Sequence, residues 1–189
     1  MDSRALLLIL VVVIVLIMVS IAVAILATKW QKTKNLRQHF GREYAHVVEQ
    51  TNSRKEAEAE LEARQERVET YDIHPLSEEE RREFAAAWLQ TQALFVDEPA
   101  AAVAQADTQV VRVMEARGYP VADFEQQAAD LSVAHPNFVE NYRLAHRIAR
   151  ANKRGQASTE ECRKALIYYR ALFEELLENK VEEYEEQFL

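Results

Sequence analysis

A single cysteine, three glycines and four prolines are all that this 189-residue chain has of the residues that cross-link or sharply turn a backbone. Cys162 alone forms no internal disulfide, so the fold gains nothing from an oxidising compartment and suits a reducing cytoplasm. The scarcity of Gly and Pro leaves little material for the tight turns of an all-β fold. Strand-like alternation is absent, as is any repeat with a period of roughly 20–50 residues. Ala, Glu, Leu, Arg and Gln are plentiful instead, and these favour helix. The expected class is all-α: an N-terminal transmembrane helix followed by an irregular soluble bundle of about five or six helices.

Charge is also missing where it matters most. From Ala5 to Thr28 no residue is charged, and Ser20 is the only polar residue before Thr28. At 1.5 Å per residue this run spans the roughly 30 Å hydrocarbon core of a bilayer. It lacks the polar face that a soluble amphipathic helix carries. A cleaved signal peptide is the competing reading, because Ala22-Val23-Ala24 resembles a small-x-small cleavage site. Signal h-regions, however, run roughly 7–15 residues, and this one continues through Ile25-Leu26-Ala27. Residues 1–28 are therefore expected to be an uncleaved anchor.

The flanks orient it. Only Arg4 and the α-amine stand against Asp2 on the N-terminal side, whereas Lys29, Lys32, Lys34, Arg37 and Arg42 follow the run with no acid among them. Positive flanks stay inside, so the C-terminal domain is expected in the cytoplasm of a single-pass cell-membrane protein. Trp30, with Lys29, Lys32, Lys34 and Arg37, forms the expected membrane interface, able to attract anionic lipid. Residues 1–42 carry +5 and the whole chain −8, which leaves −13 on residues 43–189. So acidic a domain is a poor partner for nucleic acid.

Beyond the anchor the sequence divides into a basic juxtamembrane segment (29–52), a spacer helix with a proline break (53–76) and an acidic helical domain (77–189). Three S-x-x-E boxes, at Ser53, Ser77 and Ser158, mark helix starts. The first helix, about 54–71, has only a narrow stripe of Ala57, Leu61 and Val68 and reads as an exposed spacer or half of a coiled coil. Pro75 breaks the chain after it. Phe84, Trp88, Thr91 and Phe95 share one face of the next helix, which predicts a core role for Trp88. Pro99 suits the start of a third helix, Gly118 its stop, Asp123 the cap of a fourth and His135-Pro136 the start of a fifth. A last helix follows Ser158 and is expected to run toward the C-terminus.

Several motifs carry a family resemblance: Phe40-Gly41-Arg42-Glu43-Tyr44, Arg67-Val68-Glu69, Pro75-Leu76-Ser77, Phe95-Val96-Asp97 and Arg117-Gly118-Tyr119-Pro120-Val121. Residues 123–133 with His135-Pro136, then Tyr142-Arg143 and Tyr169-Arg170-Ala171-Leu172-Phe173, complete the set. Through these the chain resembles an uncharacterised bacterial family of small single-pass membrane-anchored helical proteins. The resemblance implies an anchor with a helical domain and brings no activity with it.

No residue set amounts to a catalytic or metal site. Glu43-x-x-His46, with His39 a turn earlier, has the spacing of a di-iron ligand pair, but no second Glu-x-x-His exists to face it. The three read instead as a juxtamembrane polar face. Cys162 sits where a helix N-terminus would lower its pKa, yet no His and oxyanion hole accompany it, and it reads as a small buried residue. The connection from Gly118 to Pro136 gathers Tyr119, Asp130 and His135. Arg143, Arg147, Arg150 and Arg154 form a basic stripe, expected to be solvated or paired with the acidic last helix. These seven residues are the candidate interaction surface. An acidic tail, Glu182–Glu186 with Phe188-Leu189, could dock in a partner's groove.

The expected function is a membrane-tethered adaptor or scaffold: a helical module with no cofactor and no catalysis of its own. Its partners are the bilayer and an unidentified protein, and self-association is open to it. The alternative is a ligand-binding or enzymatic site near Tyr119, Asp130, His135 and His146.

Overall fold

A computed structural model describes residues 3–120 and 123–178. Among them lie eight helices and no strand: α1 (Ser3–Phe40), α2 (Arg42–Thr51), α3 (Arg54–Glu69), α4 (Glu78–Asp97), α5 (Pro99–Ala116), α6 (Phe124–Ala134), α7 (Pro136–Lys153) and α8 (Thr159–Leu177). The chain divides into two units, residues 1–39 and 40–189.

In the first unit α1 is, over Leu16–Phe40, long and apolar enough to cross a membrane. Leu16, Ile17, Val19, Ile21, Val23 and Leu26 are all exposed, and Trp30 is 84 % exposed. A soluble-core helix would bury such side chains.

The second unit starts earlier than the sequence suggests. Gly41, at φ +51, breaks the helix, and α2 begins at once with Tyr44 and Val47 buried. Nor is α3 an exposed spacer. Ala57 and Leu61 have no exposed surface, and α3 packs on α2 and on α6. The narrow stripe suffices because α2 supplies a second short helix beside it, forming a hairpin that the composition of residues 29–52 concealed.

Ser77 and Ser158 form complete capping boxes with Glu80 and Glu161, and the Ser53 hydroxyl accepts from the Glu56 amide. The linker after α3 is pinned to the end of α5. The His74 amide donates to the Arg117 carbonyl at 3.0 Å. Gly118, at φ +91, allows this approach, since a Cβ there would lie 2.0 Å from the Asp72 carbonyl oxygen.

The main core is built from α4, α5, α7 and α8, with Leu131 of α6. Trp88 is 4 % exposed and stacks on Phe173 of α8 at 4.4 Å. Among the described residues α8 ends at Leu177: the buried Arg117 guanidinium donates to the Leu176 carbonyl at 2.9 Å, and Glu178 turns extended. Capping of late carbonyls by a cation is a normal helix end. The acidic tail, Glu182–Glu186 with Phe188-Leu189, lies outside the described residues.

Candidate functional site

The α2–α3 hairpin meets α6 and α7 along a polar seam. At its centre is Glu43 of α2, 3 % exposed and flanked by two arginines. Arg143 of α7 grips it with both terminal nitrogens, Nη2 donating to Oε1 at 2.8 Å and Nη1 to Oε2. Arg64 of α3 donates from Nη1 to Oε1 at 2.8 Å, and from Nε to Glu60 at 3.0 Å. Burial works to raise the Glu43 pKa, but the hydrogen bonds and charges of Arg143 and then Arg64 outweigh it and hold the carboxyl below its ordinary range.

A second buried carboxylate, Asp130 of α6, lies on the same seam. Arg67 Nε donates to its Oδ1 at 2.9 Å, the Tyr71 hydroxyl to Oδ2 at 3.0 Å and the Gln126 amide to Oδ1 at 2.7 Å. Burial raises the Tyr71 pKa, and the bond to Asp130 adds to the effect, so Tyr71 stays a protonated donor. Beside Glu43 opens a groove of about 620 Å³ between α2 and α7. Arg42, His46, Glu140 and Arg147 line it, with Arg42 and Glu140 paired across it at 3.0 Å.

A third polar cluster joins α5, α7 and α8. Asp107 accepts from the Tyr169 hydroxyl at 2.7 Å and faces His146 Nδ1 at 3.2 Å, with Lys153 Nζ at 3.6 Å. The Phe124 ring stacks flat on His146 at 3.7 Å. Burial raises the Asp107 pKa, but the bonds from His146 and Tyr169 more than reverse it and hold the carboxyl low. Burial, with the negative Asp107 beside it, pushes the Tyr169 hydroxyl far up, so it is a fixed donor.

The residues singled out from sequence are thus distributed, not gathered. Tyr119 is buried in the apolar core. Asp130 belongs to the seam, His135 is buried with Nδ1 3.1 Å from Glu175, and His146 belongs to the Asp107 cluster. Asp130, His135 and His146 each bond to a different set of partners. Cys162 is buried with Sγ 3.7 Å from Asn152 Oδ1. Burial, with Glu161 beside it, raises its pKa, the reverse of what its place near a helix N-terminus implies.

The basic stripe splits as well. Arg143 pairs with α2 and not with the acidic last helix, because its position on α7 faces the hairpin. Arg154 donates to Gln156 at 2.9 Å. Arg147 and Arg150 are exposed and make no ion pair among the described residues. Lys29, Lys32, Lys34 and Arg37 lie on the last turns of α1, next to Trp30. Glu43, read from sequence as part of a juxtamembrane polar face, is a buried charge at the centre of the seam. Among the described residues no group of three or more His, Cys, Asp or Glu side chains is placed to hold a metal ion.

Comparison with family models, curated proteins and solved structures returned no match for this chain.

Proposed function

We propose that this protein is a single-pass membrane-tethered interaction module, with its helical domain in the cytoplasm and an adaptor or scaffold role toward a protein partner. One observation carries the reading: a 24-residue run without charge, Ala5–Thr28, precedes a basic flank and a separate, acidic unit with no strand among its described residues. Such a run has little use except in lipid, and the flank favours the inside orientation. On motif resemblance we place the chain with the small membrane-anchored bacterial proteins described above. The ligand-binding or enzymatic alternative drew on Tyr119, Asp130, His135 and His146, and their bonding to separate partners lends it no support.

The experiment is a pulldown of the tagged full-length chain from detergent-solubilised membranes. Recovery of a protein in stoichiometric amount supports the module. A small molecule retained through purification, with no protein partner, would contradict it.

A further inference from the structure

Helix α4 carries two apolar stripes, and the bundle uses only one. Trp88 and Thr91 are buried, and Phe84 and Phe95 pack on the core. Roughly 150° around the helix, at 3.6 residues per turn, lies a second stripe. Arg82, Ala86, Leu89, Ala93 and Val96 alternate steps of four and three, the spacing of a coiled-coil seam. All five are exposed, Leu89 at 66 % and Val96 at 82 %. Leu89 and Val96 are the large apolar side chains on this seam, and both stand in open solvent.

The charges at its two ends say which helix. Arg82 stands at the start of the stripe and Asp97 at its end, both exposed. Arg82 donates from Nε to the Glu78 carbonyl, which leaves its terminal nitrogens toward solvent, and Asp97 makes no ion pair among the described residues. The order along the stripe is therefore cation, alanine, leucine, alanine, valine, anion. Reversed and laid against itself so that Arg82 opposes Asp97, it matches at its charged ends and its centre, while Val96 falls opposite Glu83. Leu89 falls beside the two-fold axis, Ala86 opposes Ala93 of the other copy, and Arg82 reaches its Asp97 at both ends. Alanines at the alternate positions allow the two helices to approach closely.

We infer that the exposed face of α4 is an isologous contact between two copies of this chain, packed antiparallel, and that the partner it fits is a second copy of itself. The inference rests on reading the domain as a tethered interaction module. One helix face buries less than the roughly 1,200–2,000 Å² of a stable soluble complex. Confinement of both copies by their anchors raises the effective concentration and makes the small contact sufficient.

The test is disulfide cross-linking of the full-length chain in membranes. Leu89→Cys sits beside the proposed axis, whereas Thr108→Cys is an exposed control on α5. The native Cys162, 2 % exposed, is expected to stay silent in both. Under a mild oxidant Leu89→Cys gives a linked dimer and Thr108→Cys does not. Adding Arg82→Asp or Asp97→Arg to Leu89→Cys lowers the dimer yield by about tenfold, since each turns two attractions into two repulsions. The two reversals together restore it, a rescue that a misfolded variant would not show. Equal yields from both cysteines, or charge reversals without effect, would overturn the inference. A stoichiometric heterologous partner with no cross-linked dimer would overturn it too, while leaving the interaction module standing.

Discussion

Arg143 and Glu43 are 100 residues apart in sequence and meet in a two-pronged ion pair, with Arg64 of α3 on the same carboxylate. This contact joins the hairpin that follows α1 to the bundle that carries the rest of the domain. Removing one partner of a buried pair strands the other charges, at a cost of about 3–5 kcal/mol. Glu43→Ala should therefore destabilise the domain by about that amount, leaving Arg143 without its carboxylate and Arg64 with Glu60 alone. The measure is the shift in the urea midpoint followed by circular dichroism. Arg143→Met combined with Glu43→Leu should cost less than Glu43→Ala alone, because the Arg143 guanidinium is no longer left buried without its carboxylate.

The same residues set an acid limit. Glu43 and Asp107 both titrate below their ordinary values of 4.5 and 3.8 in the folded chain. Below those values the unfolded chain binds more protons than the folded one, so stability rises with pH in that window. The contribution is complete above about pH 4.5 and is lost as pH falls through the depressed folded values. Denaturant midpoints from pH 7 to pH 3 should be flat at first and then fall. In Glu43→Gln the fall should be shallower.

Trp88 is expected to hold α4 to the core. It lies stacked on Phe173, and the bundle closes over it. Trp88→Ala should cost about 3–5 kcal/mol, as for other large buried aromatics. Trp88→Phe should cost much less, since the indole Nε1 has no hydrogen-bond partner and its loss leaves nothing unsatisfied. An unchanged melting temperature in Trp88→Ala would remove Trp88 from the core and make it a binding residue.

Local chemistry was the legible part of this chain. Ser77 and Ser158 were readable as caps because a hydroxyl and a carboxylate three residues apart are enough to close a box. Trp88 was readable because its stripe repeats at helical spacing. The hairpin of α2 and α3 was not, since Ala57 and Leu61 look too sparse for a core until Tyr44 and Val47 are placed beside them. The seam was hidden for a similar reason: Glu43, Arg64 and Arg143 each read as a surface charge until the fold brings them together. The motifs that suggested a family had already contained Glu43, Arg67, Asp130 and Arg143, and those four side chains converge on the seam. That convergence was the available signal. The outer stripe of α4 was equally visible as spacing, but the inner stripe, rich in aromatics, masked it.

Membrane tethering with an inside domain is tested most directly by C-terminal fusions of the full-length chain to two reporters, one fluorescent only in the cytoplasm and one enzymatically active only outside it. Fluorescence should be retained in the membrane fraction after alkaline extraction, with the second reporter silent and the N-terminus intact, as the proposed orientation and uncleaved anchor predict. Activity of the external reporter, or a mature chain that begins at Ile25, would contradict it.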